Sequence, residues 1–369
     1  MICTAIGILA NHRGWGRFAH MRYDDEVNMA NSNIFLDSTF TWHDYNGNRA
    51  FELGEVNFDR NGPDFISTTV LGSGSYAFAV PNPNEKQPQS DEFTASIEQQ
   101  LIRNMALRIT GIYSHTFNNY RVINNLRPPQ VYTIPIRNPD PGPDGRIGTA
   151  DDPGTTITYR DYPAAYRGAA FQQPMLVNDP SADETYKSFE VAVSRRLTNR
   201  WQLMASYSAT KLNIPFVPTT AGAFTVNLPA LDPNAEIFSA NQTWEWLGRV
   251  SGAYLLPFDV QMSANFEHRS GTPYARTVSV GGGQQIPSLT VPVEPIGARR
   301  LPNLNLVNLR AEKSFRLTPT QRIALRLNVY NLMNVNTVLT INTLSGAAFE
   351  RPTSIASPRI AELGVTYRF

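Results

Sequence analysis

The chain has 369 residues, of which 32 are basic and 31 acidic, so its formal net charge at pH 7 is only +1. This balance gives no electrostatic support for nucleic-acid binding. The single cysteine, Cys3, excludes a disulfide scaffold and a cysteine-based metal site. No segment approaches the roughly eighteen consecutive apolar residues of a membrane helix, but the alternating strands of a membrane barrel would not produce one.

The first residues of the chain support no structural prediction. An apolar stretch covers 2–10, but no basic residue precedes it. The residues that follow, Asn11-His12-Arg13, lack the small side chains of a cleavage site, so the stretch is a poor secretory signal. We therefore divide the chain into an unassigned segment, 1–30, and one domain, 31–369.

Alternation of apolar and polar residues recurs along the rest of the chain and predicts antiparallel strands. In 258–268, for example, Val260, Met262 and Phe266 fall on one face, whereas Gln261 and Glu267 fall on the other. Most strands are about ten residues long, the length that a tilted strand needs to cross a bilayer. The predicted strands are 92–101, 105–115, 185–197, 201–211, 243–256, 258–268, 305–317, 322–334 and 361–369, with a weaker candidate at 33–42.

Short and long connections alternate between these strands. The short ones are 102–104, 198–200, Pro257 and 318–321, and the long ones are 43–91, 116–184, 212–242, 269–304 and 335–358. Short periplasmic turns at one rim and long extracellular loops at the other are typical of outer-membrane barrels. The sequence therefore predicts an all-β fold, an antiparallel transmembrane β-barrel of about nine or ten strands in this chain, in contact with the lipid of the cell outer membrane.

The last strand has the clearest alternation. Leu363, Val365, Tyr367 and Phe369 form an apolar face, and Glu362 lies on the opposite, polar face. A chain that stops on an aromatic residue in such a strand resembles outer-membrane barrels, whose assembly machinery recognises a terminal strand of this kind. We interpret the four apolar residues as a barrel-assembly signal and the machinery as a partner. The alternative is the last strand of a soluble sheet.

Three stretches near the end of the chain resemble a known family. They read V-N-L-R-A-E-K-S-F-R-L (307–317), R-I-A-L-R-L-N-V-Y-N-L-M-N (322–334) and P-R-I-A-E-L-G-V-T-Y-R-F (358–369). They are similar to the barrel terminus of Oar-like TonB-dependent receptors, although Met333 replaces the usual aromatic residue of the second motif. The segments 140–154 and 41–49 resemble extracellular loops of the same group.

The resemblance implies a barrel of about 22 strands around a plug, with a TonB box before the plug and long loops that capture an unknown extracellular ligand for energised uptake. We expect this chain to be the C-terminal portion of such a receptor, without the plug, so that TonB would act only through that missing part. Eight charged side chains on the predicted inner face need water, counter-charges or a plug. They are Glu190, Arg196, Arg249, Glu267, Arg310, Glu312, Arg326 and Glu362. A small water-filled barrel would also solvate them.

The segment 44–55 is close to a calcium-binding loop. Its oxygen-bearing residues occur at positions 1, 3, 5, 9 and 12 of a twelve-residue motif, a spacing that wraps oxygens around one ion. Position 6, normally glycine, is Arg49. The candidate ligands are Asp44, Asn46, Asn48, Glu52 and Glu55. The alternative is a polar loop that uses Asn and Gly for its turns.

A second acidic segment, 140–152, is also a candidate calcium site. Its carboxylates, Asp140, Asp144, Asp151 and Asp152, are separated by glycines. Such a cluster repels itself unless a cation or solvent salt screens it. No cofactor other than calcium is indicated.

The sequence contains no catalytic signature. Its five histidines are scattered, and there is no His-Glu-x-x-His, Gly-x-Ser-x-Gly or phosphate-binding loop. The leading interpretation is therefore a non-enzymatic outer-membrane receptor or transporter. The main alternative is a self-contained ten-strand pore or adhesin, and a barrel hydrolase is a third, minor one.

Overall fold

The computed structural model describes residues 9–19, 36–70, 79–217 and 232–369. Ten strands form one antiparallel sheet: β1 Leu9–Ala19, β2 Gln89–Ile102, β3 Met105–Phe117, β4 Glu184–Thr198, β5 Trp201–Asn213, β6 Trp244–Leu256, β7 Val260–Arg269, β8 Leu304–Arg316, β9 Arg322–Tyr330 and β10 Ile360–Arg368. In the described residues, no helix is long and apolar enough to span a membrane. The prediction of an all-β, antiparallel fold is confirmed.

Each strand of the sheet pairs with the strand before and after it in chain order. The strands β1 and β10 are the two edges and do not pair with each other, so the sheet is open. The nine strands predicted from 92–101 onward all occur, with ends displaced by a few residues at most. The strand β1 lies in the segment for which the sequence gave no prediction.

The weaker strand prediction, 33–42, is wrong in its placement. Residues 33–35 lie outside the described residues, and Leu36–Phe40 pairs with Phe65–Val70 in a separate two-stranded sheet. The Phe40 ring packs on those of Phe58 and Phe65, with centroids 5.4 and 5.7 Å apart. Alternation shows that a strand has two different faces, but it does not show which sheet the strand joins.

The short connections all lie at the same end of the strands. This end of the sheet is here called the turn edge and is distinct from the two edge strands β1 and β10. They are 103–104, 199–200, 257–259 and 317–321. Asn199 and Arg200 have φ of 53° and 73°, and Phe258 and Asp259 have φ of 65° and 55°. Two consecutive left-handed residues give the turn whose twist matches that of the flanking strands. The predicted division into short and long connections is therefore confirmed.

The two faces of the sheet have opposite character. On the outer face, Val250 and Phe266 are cross-strand partners and remain 40% and 37% exposed. On the inner face, Arg249 Nε lies 3.3 Å from Glu267 Oε2, and Arg108 Nη2 lies 3.3 Å from Glu190 Oε1. In the part of the chain that the structure describes, the large apolar side chains of the outer face thus have no protein layer against them, and the charges pair on the opposite face.

The buried core lies in the long connections rather than against the sheet. Ile157, Tyr159, Val278, Val280 and Val291 form a hydrophobic cluster. These residues belong to two hairpins, Ile134–Pro139 with Thr156–Asp161 and Thr277–Gly281 with Ser288–Pro292. Burial of five such side chains contributes roughly 8–15 kcal/mol as an upper estimate.

Further small elements complete the connections. The other two-stranded pairs are Tyr120–Asn124 with Pro174–Asn178, Pro273–Tyr274 with Arg299–Arg300, and Val338–Ile341 with Pro352–Ile355. Short 3-10 helices occur at Pro129–Val131, Ala164–Tyr166, Ala169–Phe171, Pro180–Ala182 and Pro233–Glu236. We refer to residues 118–183, 270–303 and 331–359 together as the cap.

Candidate functional site

A buried arginine joins the three connections of the cap. Arg276 donates from Nη2 to Asp140 Oδ2 at 2.6 Å and from Nη1 to Asp140 Oδ1 at 2.9 Å. The same Nη1 donates to the Gly142 carbonyl oxygen at 3.0 Å and to Ser345 Oγ at 2.9 Å. A bidentate pair of this kind fixes both position and orientation of the two groups. Arg276 therefore holds residues from three separate parts of the chain together.

Asp140, a predicted calcium ligand, has its oxygens occupied by these donors. The backbone nitrogen of Gly142 also donates to Oδ1 at 3.1 Å. Burial disfavours the charged form, but the hydrogen bonds from Arg276 and Gly142 and the charge of Arg276 outweigh it, and the pKa of Asp140 is lowered. The cation that lies next to Asp140 in this structure is therefore the guanidinium group of Arg276.

The other three carboxylates of this segment surround Thr149. Its hydroxyl group lies 2.6 Å from Asp151 Oδ1, 3.2 Å from Asp152 Oδ1 and 3.4 Å from Asp144 Oδ1. The hydrogen bond from Thr149, followed by that from the Asp144 backbone nitrogen, lowers the pKa of Asp151. The structure therefore places Asp144, Asp151 and Asp152 around one hydroxyl group in this loop.

The first predicted calcium loop also closes on itself. Glu52 accepts hydrogen bonds from the side-chain amides of Asn46, at 3.0 Å, and Asn48, at 2.7 Å. Asp44 accepts from the backbone nitrogens of Gly47 and Arg49, and Glu55 accepts from the Trp42 indole at 2.9 Å. Donors within the segment and the neighbouring Trp42 therefore form hydrogen bonds to its carboxylates.

Within the described ranges, no group of three or more His, Cys, Asp or Glu side chains is arranged to hold a metal ion. Calcium also accepts amide oxygens, which Asn46 and Asn48 supply in the first segment. Calcium binding at Asp44–Glu55 and at Asp140–Asp152 therefore stays a prediction.

A second polar network, which the sequence did not indicate, ties the cap at another point. Arg299 donates from Nε to Glu294 at 2.7 Å and from Nη1 to Glu350 at 2.8 Å. The Tyr274 hydroxyl also donates to Glu350, at 2.9 Å. Burial and then the contact with Glu350 raise the pKa of Tyr274. Neither Arg276 nor Arg299 occurs in a motif, so no local signal could have identified them.

Beneath the cap, the inner face of the sheet borders a cavity of about 460 Å³. Its lining includes Thr210, Glu245 and Arg269 from the strands and Thr272 and Leu339 from the cap. Hydroxyl groups and charges of both signs line it together with apolar side chains such as Trp246 and Leu304, so it offers both polar and apolar contacts to a ligand.

Three of the predicted assembly-signal residues lie on the outer face of β10, and the fourth, Phe369, directly follows the strand. Leu363, Val365, Tyr367 and Phe369 are 84%, 69%, 49% and 93% exposed. The rings of Tyr367 and Phe369 have centroids 5.7 Å apart. The structure confirms the shared face of the first three, and recognition of all four by assembly machinery stays a prediction.

No family model matches the sequence, and no curated protein matches it. Among solved structures, the chain is similar to the outer membrane transporter YddB from Escherichia coli, with TM-score 0.43 and 10% identity. It is also similar to the ferric-catecholate import receptor Fiu from E. coli K12, with TM-score 0.40 and 13% identity. A third is the ferripyoverdine receptor of the outer membrane of Pseudomonas aeruginosa, with TM-score 0.38 and 12% identity.

These alignments cover 82%, 90% and 77% of this chain, respectively, but only 35%, 40% and 27% of the three proteins. The chain therefore spans about a third of the length of the structures it matches. At these TM-scores and identities, the function of the chain has to be argued from its own geometry.

Proposed function

We propose that this chain provides ten consecutive strands of an outer-membrane TonB-dependent receptor of the Oar-like type, whose cap binds an extracellular ligand for uptake. One observation carries the proposal. The apolar side chains of a ten-stranded sheet are exposed on its outer face. Its long connections fold into a cap at the end of the strands opposite the turn edge. Lipid is the solvent that suits such an outer face.

The exposed apolar surface is too extensive for a sheet surrounded by water. Phe189, Tyr207, Tyr254, Leu327 and Leu363 are between 40% and 84% exposed on five different strands. Monomeric soluble proteins rarely expose a contiguous apolar surface of this kind. The inner face instead carries paired charges, which need water or a polar domain. The proposal therefore assigns the outer face to the membrane.

The open edges support a larger barrel. A membrane barrel must satisfy every backbone group by closing the sheet, because lipid offers no hydrogen bonds. Among the strands that the structure describes, β1 and β10 each pair on one side only. We propose that further strands of the same receptor complete the sheet, and that a plug and the contact with TonB come from outside this sequence. The cap and the cavity beneath it then bind the ligand, with no catalytic step.

Cysteine labelling in intact cells tests the location and the orientation. Ile147 lies in the cap and is 68% exposed, and Phe258 lies in a short turn and is 86% exposed. The two residues are therefore at opposite ends of the strands. In a Cys3→Ser background, a membrane-impermeant maleimide should label Ile147→Cys in whole cells. Phe258→Cys should react only after the outer membrane is opened. Labelling of both, or of neither, in intact cells would contradict the proposal.

Cross-linking between the edges separates the larger barrel from a ten-strand pore. A cysteine replacing Leu363 on β10 is combined with cysteines placed one at a time along 11–17 of β1. In a larger barrel, no combination should form a disulfide, because other strands lie between the two edges. An efficient disulfide in any combination would show that β1 and β10 pair directly and would favour the small pore.

A further inference from the structure

A row of cross-strand partners with small residues at its centre crosses the outer face of the sheet. Consecutive cross-strand partners in this row are Arg195, Leu203, Gly252, Ala264 and Leu309. Four strand spacings of about 4.8 Å make the row about 19 Å long. Because Gly252 and Ala264 have little or no side chain, the middle of the row is low.

Larger side chains flank this row on both sides and turn it into a groove. Trp201, Tyr254 and Met262 lie on the side nearer the turn edge, and Val250 and Phe266 lie on the other. The groove has a volume of about 590 Å³, and its lining is almost entirely apolar. It is continuous with the surface that we assign to lipid, so its natural occupant is an acyl chain.

A buried cation lies next to one end of the groove, because Arg195 is the cross-strand partner of Leu203, a residue that lines it. Arg195 is 8% exposed, and its guanidinium carbon lies 4.0 Å from the centroid of the Trp201 ring. Its Nε is buried and has no hydrogen-bond partner, and Nη2 only reaches the Thr198 carbonyl oxygen at 3.5 Å. Among the described residues, no carboxylate forms a salt bridge with Arg195. A buried charge without a counter-charge is costly, so this guanidinium lacks an anion.

Other cations on the outer face are satisfied by the protein. Lys313, also near the turn edge, extends its Nζ to the carbonyl oxygen of Phe258 and lies 5.4 Å from the Phe315 ring centroid. Arg17 forms a bidentate pair with Asp91 at 2.6 and 2.7 Å. Long cationic side chains commonly reach the membrane surface in this way. Arg195 also has a carbonyl contact and a ring contact, but it differs because its Nε is buried without a hydrogen-bond partner.

We propose that Arg195 and the groove form a binding site for a glycerophospholipid. The guanidinium donates to the phosphate oxygens, for which its planar arrangement of donors is suited, and one acyl chain lies along the row from Leu203 to Leu309. Trp201 contributes to both parts, since it stacks on Arg195 and lines the groove. The site lies near the turn edge, where the head groups of the periplasmic leaflet would be. This inference rests on the proposed membrane location of the outer face.

Native mass spectrometry of the detergent-solubilised protein, titrated with dioleoyl phosphatidylglycerol, tests the site. Wild type should show one saturable bound lipid. Arg195→Gln should weaken that binding about tenfold or more, as expected for loss of a charge-assisted contact. Ala264→Leu, which keeps the charge but fills the groove, should also weaken it. Lys313→Gln is the matched control and should bind like the wild type.

Two comparisons define the outcomes that overturn the site. Equal affinity of wild type, Arg195→Gln and Ala264→Leu would overturn it, as would an equal loss in Lys313→Gln. Glycerophosphoglycerol has the phosphate but no acyl chains, so it should not displace the lipid. Displacement would show that the site binds the anion alone and would overturn the proposed lipid site. Heat-modifiable electrophoretic migration confirms that each variant is folded. A wild type that fails to enter bilayers would instead refute the proposed function.

Discussion

Replacing Arg276 with methionine tests whether the cap depends on its buried ion pair. Arg276 and Asp140 are 6% and 5% exposed. Removal of one partner leaves the other charge buried and uncompensated, which costs about 3–5 kcal/mol. Because each 1.4 kcal/mol is about a factor of ten, the population of opened cap should rise by roughly two to almost four orders of magnitude.

Limited proteolysis of outer membranes measures this opening. When the cap opens and closes faster than it is cleaved, the rate of cleavage within 140–154 follows the open population. Arg146→Met is the matched control, because Arg146 is an exposed arginine of the same segment. Replacing Asp140 with leucine in the Arg276→Met variant should restore much of the resistance, since an apolar pair can replace a buried ion pair. Equal resistance of Arg276→Met and Arg146→Met would refute the reasoning.

The same pair predicts an acid-dependent loss of protection. The pKa of Asp140 is lowered in the folded cap from its ordinary 3.8, although burial alone would raise it, because Arg276 and Gly142 favour the ionised form. A group whose pKa is lower in the folded state adds stability above its ordinary pKa, and that stability is lost as the pH falls through the folded value. Wild type should therefore keep its resistance at pH 5 and begin to lose it below about pH 4. Arg276→Met should lack this step.

Three further predictions concern the sheet and the acidic loop. Val365→Arg, on the outer face, should cost about 2–4 kcal/mol near the bilayer midplane and reduce the heat-resistant folded band, whereas Glu362→Leu should not; equal losses would refute the assigned faces. Arg200→Gly should stabilise the sheet by about 0.5–1 kcal/mol in urea unfolding, because glycine relieves the left-handed strain at φ 73°; a lower unfolding midpoint would refute this. If calcium binds at 44–55, EGTA should change the fluorescence emission of Trp42, which donates to Glu55. A Trp42→Phe variant is the control, and a response to EGTA that is the same in wild type and control would count against the ion.

The strands of the sheet were accessible from the sequence because their determinants are local. The prediction for 105–115 became Met105–Phe117, and that for 322–334 became Arg322–Tyr330. Alternation depends only on neighbouring residues, and two-residue turns such as Asn199-Arg200 depend on their own φ values. The division into short and long connections then follows from where the strands end.

The unpredicted strand β1 and the misplaced strand prediction at 33–42 have one cause. The strand Leu9–Ala19 places Asn11 and Arg13 opposite Ile97 and Ala95 on the outer face, so it lacks the apolar alternation that identified the other strands. It is a strand because β2 offers it an edge. Conversely, Leu36–Phe40 alternates but joins another hairpin. Pairing depends on which edge is available in space, and a single segment does not contain that information.

The sequence alone determined the strand pattern, the two faces and the edge at which the long connections lie, since period-two alternation and turn chemistry act over a few residues. The tertiary structure alone decided the chemistry of the cap. Asp140 was a calcium candidate by sequence, and its actual partner, Arg276, lies 136 residues away. Arg195 gained significance only because, among the described residues, its buried Nε has no hydrogen-bond partner. The sequence identifies a charged residue, but it does not identify the residue that pairs with it. The pairing residue can be distant in the chain, and only folding brings the two together.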